Sequence, residues 1–382
     1  MSPSATTTDA TLPFAIGLIG GLQPPADRAL AYARRMEDRG YGGLWFPDVF
    51  QGWVPRSLWT AAVTGLANGR GSPDIFFDPI AAMAAAAQVT QKIKLGTGVT
   101  EVLRRHPAQL AQAALTLEHL APGRILLGIG AGEPAKQARF GVSVGQPVGR
   151  LEEGLAILRL LWSTDEPVDF DGRHFQLDHA ALGLNPPVSG PPKIWVAAHG
   201  PRMLRMTAKY ADGWLPVYTP LDLYVSRLAT LRALLAEAGR PADAIVPAMF
   251  AGVVVGESQA HVRELLGAPL VRFMAATLSP DFYRDRGFEP PLGDRYGMLE
   301  LDPSRLSPED AMRIAERVPV ELVRETILSG TVDEVADQIC GFRHAGVKHL
   351  VLMNQTFYAD ASLARSSSRL LDEILALVTS TK

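Results

Sequence analysis

Runs of roughly four to eight consecutive apolar residues recur along this chain, and polar segments of helical length separate them. Eight runs stand out: FAIGLI from Phe14, GLWF from Gly43, IKLGTGV from Ile93, RILLGIG from Arg124, KIWVAA from Lys193, GWLPV from Gly213, IVPAMFAGVVV from Ile245 and KHLVLMN from Lys348. Continuous rather than alternating apolarity predicts strands buried on both faces, as in a parallel sheet covered by crossover helices. Between them the pattern predicts helices over Pro24–Arg39, Pro79–Thr90, Pro107–His119, Arg150–Trp162, Pro201–Tyr210, Leu221–Ala238 and Val332–Ala345. Several open on a proline, which suits a first turn whose amides have no helical partner, and TVDE at Thr331 places a cap and carboxylates at a helix start. Eight parallel strands predict an α/β fold closed as a (β/α)8 TIM barrel.

Three segments exceed the minimal repeat: about 52–78, 165–192 and 267–319. Long insertions after barrel strands lie at the C-terminal face, where sites are built, so these are expected to be lids and substrate walls. DFDGRHFQLD in the second reads as a hairpin around Asp171 and Gly172. The whole is expected to be a single barrel domain over residues 13–382, preceded by a disordered tail over 1–12 that lacks the basic start and apolar core of a signal peptide.

Composition narrows the class. Of 382 residues, 47% are hydrophobic and 20% charged, enough for a large core. Lys and Arg total 37 against 40 Asp and Glu, with no basic run longer than Arg104–Arg105, which argues against a nucleic-acid surface. The longest charge-free apolar stretch, Ala244 to Gly256, is too short for the roughly 18 residues of a membrane span. One cysteine, Cys340, excludes an internal disulfide and a thiolate cluster and fits a reducing cytoplasm. The eight histidines include no HExxH motif, so no metal site is expected, and no GxSxG nucleophile elbow occurs.

Polar residues gather at the strand ends: Asp48 after the second strand, Thr97 to Glu101 after the third, Gly130 to Glu133 after the fourth, His199 and Gly200 after the fifth. In a barrel these converge on one mouth. GIGAGE does not space its glycines as a dinucleotide fingerprint does; it is either a sharp strand exit or a backbone approach to a flat ring faced by Glu133. AAHGPRML puts Gly200 and Pro201 at a helix start, a cradle for phosphate, with His199 as a binding or simply a capping residue. The glycines and threonines of LGTGVT read as a bulge near Gly98, ordinary or pressed against a cofactor. Arg104 and Arg105 are mouth anion binders or solvated charges, and His106 before Pro107 is a polar strand exit or a catalytic group.

Taken together these blocks resemble the luciferase-like monooxygenase superfamily, in particular its branch using coenzyme F420, an 8-hydroxy-5-deazaflavin. DVFQGW from Asp48 is similar to the DHFQPW of F420-dependent glucose-6-phosphate dehydrogenases, and LGIGAGE to their LGVGTGE. WVAAHGPRMLRMTAKYADGWLP from Trp195 and LSGTVDEVADQI from Leu328 look like blocks of the phthiodiolone dimycocerosate ketoreductases. The resemblance covers Phe14 to about Leu352 and implies a homodimer. It implies that Asp48, Thr97, Gly98, Val99, Thr100, Gly132 and Glu133 surround the deazaflavin ring, with a non-proline cis peptide near Gly98, and that Ala198, His199 and Gly200 flank the phosphate. Trp53 and Glu133 match the family's catalytic tryptophan and glutamate. The family's catalytic histidine is Val49 here, and Leu22 and Gln23 stand where the sugar-phosphate enzymes have a glutamate. Valine moves no proton, so Trp53, Glu133 or another group such as His106 must complete the relay.

The expected activity is hydride transfer between F420 and a ketone, secondary alcohol or similar double bond of an apolar small molecule or lipid. Trp59, Phe76, Phe77, Phe175, Leu182, Phe282 and Tyr283 in the insertions suggest an apolar substrate or plain packing. An FMN-dependent monooxygenase working with a reductase, and a non-catalytic cofactor-binding protein, are the alternatives.

Overall fold

The computed structural model describes residues 13–20, 23–69 and 71–380. The expected tail over 1–12, and Leu22, lie outside the described residues. The described residues form eleven strands: β1 Ala15–Ile19, β2 Gly43–Phe46, β3 Lys94–Thr97, β4 Ile125–Ile129, β5 Val168–Asp171, β6 Gln176–Ala180, β7 Lys193–Val196, β8 Gly213–Trp214, β9 Val246–Val255, β10 Leu328–Gly330 and β11 His349–Asn354. The order β9-β11-β1-β2-β3-β4-β7-β8, closed by β8 on β9, is an all-parallel eight-stranded ring. These eight are the eight apolar runs of the sequence, so the fold is a (β/α)8 barrel. β10 pairs only with the far end of β9, from Val253 to Val255, and stands outside the ring.

The seven predicted helices all form; the one after β4, for example, spans Pro147–Leu161. An eighth, Ala364–Ser380, closes the outer layer by packing on the helix Val332–His344. Start signals act as expected: Asp78 accepts from the Ile80 and Ala81 amides, and Thr331 forms a capping box with Glu334.

Large rings fill the barrel interior. Trp45, Trp195, Leu126, Leu215, Ala248 and Val351 form one buried cluster, and the imidazole of His349 lies edge-on to both indoles. Trp45 Nε1 donates to His349 Nε2 at 3.3 Å. Neighbouring strands yield the space. A Cβ on Gly96 would lie 2.7 Å from the Trp45 ring, and one on Gly17 2.9 Å from His349 Nε2.

The insertions differ in placement. Residues 52–78 follow β2 and sit at the C-terminal face. The helices of the third insertion, among them Pro269–Ala275 and Pro308–Arg317, build a separate core there with Val54 and Leu58. The hairpin β5–β6 follows a helix rather than a strand, so it starts at the opposite end and climbs the outside of the helical layer. His119 Nε2 meets the Asn185 carbonyl at 2.8 Å, and the Glu153 carboxylate accepts the Arg173, His174 and Phe175 amides at the hairpin tip. That segment therefore lies outside the helical layer, with its tip at Phe175 against the helix-start residue His106. No helix among the described residues is long and apolar enough to cross a membrane.

Burial, and then the charge of Lys94, push the His349 pKa down from 6.5 to about 3. The unfolded chain takes up this proton below pH 6.5 while the folded chain resists it, so stability falls as pH drops from 6.5 toward 3. The slope from this group approaches about 1.4 kcal/mol per pH unit. Replacing His349→Gln, which keeps an acceptor for Trp45, is expected to flatten the fall in urea midpoint between about pH 6 and pH 4. An unchanged slope would assign the acid sensitivity elsewhere.

Candidate active site

The residues after β2 are held by a buried ion cluster. Asp48 is 3% exposed, and its carboxylate accepts Thr100 Oγ1 at 2.6 Å, Arg104 at 2.9 Å and Arg105 Nε at 3.2 Å. Arg104 also bonds the Asp48 carbonyl at 2.6 Å and pairs with buried Glu101, while Arg105 reaches Asp78 at 2.6 Å. The arginines are thus neither solvated nor free to bind anions. They clamp the strand exits of β2 and β3 together, and Asp48 is occupied in that clamp.

β3 runs directly into the expected bulge, where the Gly98–Val99 peptide is cis. Gly98 N–H donates to the Phe46 carbonyl at 2.8 Å, Thr97 Oγ1 to the Gly128 carbonyl at 2.7 Å and Thr100 N–H to the same carbonyl at 2.8 Å. Gly130 N–H returns a bond to the Thr100 carbonyl at 2.9 Å. A Cβ at Gly128 would collide with the Thr97 carbonyl oxygen, and Gly132 holds φ +86° against Gln137 and Leu103. Thr97 and Thr100 therefore spend their hydroxyls on the scaffold. Gly130 and Gly132 bring side-chain-free backbone to the β4 exit, beside the Val99 side chain.

Beside this bare surface stands a polar group that sequence reading found only in part. Trp53 Nε1 donates to Glu133 Oε1 at 2.8 Å, and Lys136 Nζ lies 2.6 Å from Glu133 Oε2. The same ammonium donates to the Gln51 carbonyl at 2.9 Å and sits 4.1 Å from the centre of the Trp53 ring. The Lys136 side chain is 5% exposed and that of Glu133 21%, so the carboxylate faces the mouth and the ammonium lies beneath it. Gln51 Oε1 is buried there without a partner. Lys136 was missed. The available signal was its spacing of three from Glu133 across Pro134, one turn of a helix start.

Across the mouth, the helix Pro201–Tyr210 begins at Gly200, where a Cβ would meet nothing within 4 Å. The Ala198 carbonyl accepts Trp214 Nε1 at 2.9 Å, fixing the strand exit. His199 meets the Val217 amide at 3.3 Å and Arg227 at 3.2 Å; burial, and then the Arg227 charge, push its pKa down to about 4. It is a neutral imidazole at physiological pH. The positive charge of the corner is Arg227, which has no ion-pair partner among the described residues and which the sequence reading passed over.

His106 does not join the group. Its Nδ1 accepts the Ala108 amide at 3.2 Å as a helix cap, and its exposed ring stands edge-on to Phe175 of the outer hairpin. Both contacts turn it toward the helical layer, and neither joins it to the Trp53–Glu133 group. Among the aromatics proposed as substrate contacts, Phe175 packs on the outer core and Phe282 and Tyr283 are buried in the core of the third insertion. Phe50 and Phe140, about half exposed and 4.5 Å apart, stand open instead.

The site suits a flat heterocycle. Side-chain-free backbone lies at the β3 and β4 exits, an open helix start with a neighbouring cation lies opposite, and an orphan acceptor waits at Gln51. Among the described residues no group of His, Cys, Asp and Glu is disposed to hold a metal ion.

Comparison with known proteins agrees with this architecture. The family model for luciferase-like monooxygenases matches residues 7–349. The phthiodiolone/phenolphthiodiolone dimycocerosates ketoreductase of Mycobacterium tuberculosis (strain ATCC 25618 / H37Rv) is 37% identical over 338 residues, covering 86% of this chain and 87% of that protein. The 5,10-methylenetetrahydromethanopterin reductase of Archaeoglobus fulgidus is 31% identical over 271 residues, 69% of this chain and 77% of the other. Among solved structures, an F420-dependent secondary alcohol dehydrogenase in complex with an F420-acetone adduct superposes with a TM-score of 0.74 at 24% identity, over 96% of this chain and 99% of that one. The chain belongs to the luciferase-like monooxygenase family.

Replacing Asp48→Asn leaves two guanidinium groups without their shared countercharge, which is expected to cost about 3 kcal/mol of stability. Urea unfolding checks this. A loss below about 0.5 kcal/mol would mean that the cluster is not the clamp described.

Proposed function

We propose that this chain is a coenzyme F420-dependent oxidoreductase that interconverts a ketone and a secondary alcohol of an apolar small molecule or lipid. The observation that carries the reading is the Trp53–Glu133 hydrogen bond of 2.8 Å beside a glycine-lined mouth. The ketoreductase and reductase names of the relatives support it, as does the F420-dependent dehydrogenase with the same fold. We further propose that the protein works in the cytoplasm as a homodimer.

Residues 97–100 with Gly132 and Glu133 would hold the ring, with Asp48 fixing the loop beneath them. Ala198, His199 and Gly200, with Arg227, would hold the phosphate, a neutral imidazole and a guanidinium offering donors without a competing carboxylate. When bound, the deazaflavin supplies a hydride from its ring carbon, as a nicotinamide does. The protein must then supply orientation and a proton at the substrate oxygen. Glu133 and Trp53 are the groups at the mouth placed for that task.

Titrating the purified protein with F420 and with FMN tests the cofactor, and a panel of ketones and alcohols followed by deazaflavin absorbance tests the reaction. Tighter F420 binding is expected, with turnover on apolar ketones. The Glu133→Gln variant is expected to keep its cofactor affinity within about threefold while turnover falls about 100-fold or more. A preference for FMN, or full turnover by Glu133→Gln, would overturn the reading.

A further inference from the structure

The position after Asp48 is Val49, a half-buried side chain with no proton to give. Both oxygens of the Glu133 carboxyl are already engaged: one accepts the Trp53 N–H at 2.8 Å and the other lies 2.6 Å from the Lys136 ammonium. Proton delivery to a ketone therefore needs a second group. A single side chain in contact with Glu133 carries protons to spare and lies out of the substrate's reach: Lys136.

We propose that Lys136 is the proton source of this site, acting through Glu133 as a positioning residue in the role that a histidine after Asp48 would otherwise fill. The inference rests on the proposed ketone reduction. The carbonyl carbon takes a hydride with its electron pair from the reduced deazaflavin, and the carbonyl oxygen must take one proton. An N–H bond of Lys136 breaks and its proton passes to Glu133 Oε2 across 2.6 Å; the O–H bond so formed then breaks as Glu133 delivers that proton to the substrate oxygen at the mouth. The pair ends as carboxylate and neutral amine, and the amine recovers its proton from solvent. Run backwards, the same pair accepts the proton of an alcohol.

The remaining contacts of Lys136 fit the role. The Gln51 carbonyl at 2.9 Å and the Trp53 ring face at 4.1 Å fix the ammonium without adding a second carboxylate that would compete for its proton. In the Asp48, Glu101, Arg104 and Arg105 cluster the carboxylates and guanidinium groups pair with one another and with Asp78. The Lys136 side chain is 5% exposed against 21% for Glu133, so it meets solvent less than the carboxylate does.

Two substitutions separate proton supply from simple anchoring. Lys136→Arg keeps the cation and its bonds but holds its proton at all working pH values, and Lys136→Met removes both. Both are expected to bind F420 within about threefold of the parent protein, and both to lose about 100-fold or more in kcat for ketone reduction at pH near 7.5. In Lys136→Met the remaining turnover is expected to lose the parent's pH profile. Parent-like turnover and pH profile in Lys136→Arg would overturn the proposal and leave an anchoring role. A cofactor-free readout covers the case in which the parent reduces no ketone. Trp53 emission, taken as the difference from Trp53→Phe, is expected to show an alkaline step that Lys136→Met abolishes. The same step in both proteins would also overturn the proposal, whereas its loss with no ketone turnover in the parent would count against the proposed reaction alone.

Discussion

The mouth of this barrel depends on the rings packed beneath it. Trp45, Trp195 and His349 occupy the interior where β1, β2, β3 and β7 draw together, and Gly17 and Gly96 are small because those rings need their space. Filling the interior this way fixes strand positions immediately below the bulge at Gly98. The hydrogen bonds of Thr97, Gly98 and Thr100 to Phe46 and Gly128 carry that order upward, and the Asp48 cluster ties the β2 and β3 exits together. The backbone surface offered to a flat ring is therefore rigid because of residues that never touch it.

A second core secures Trp53 and the Glu133–Lys136 pair. Trp53 packs against the cluster built by the third insertion, and the short helix that carries Lys136 is followed by Arg139, which reaches Asp302 of the same insertion at 2.8 Å. The indole and the Glu133–Lys136 turn are held from above as well as from below. This gives the insertion a concrete purpose: it closes the polar group off from bulk water on one side, which strengthens the charge interactions inside.

Much of the fold could be read from the chain because barrel strands are buried on both faces and so appear as unbroken apolar runs. Helix starts were readable through Pro79, Pro107 and Pro201, whose fixed φ and missing amide mark first turns. The hairpin at 168–180 was recognised, but its location was not, since only chain direction tells that a segment after a helix begins at the far end of the barrel. Strand-exit residues were readable as a group; partners were not. Asp48 looked like a ring contact because its arginines lie more than fifty positions away, and Lys136 looked like any lysine because Trp53 and Gln51 reach it across about as long a separation. His106 invited a catalytic reading by its place before Pro107, whereas capping uses that same place.

The double attachment of Trp53 bears on how such a protein changes over time. Its indole is a wall of the polar site on one side and a packing member of the insertion on the other. Exchange of the insertion for a different one, by recombination or by design, would unseat the tryptophan and with it the hydrogen bond to Glu133. The insertion and the Trp53–Glu133 group are thus inherited together here, whereas Phe50 and Phe140 stand about half exposed outside the hydrophobic cores.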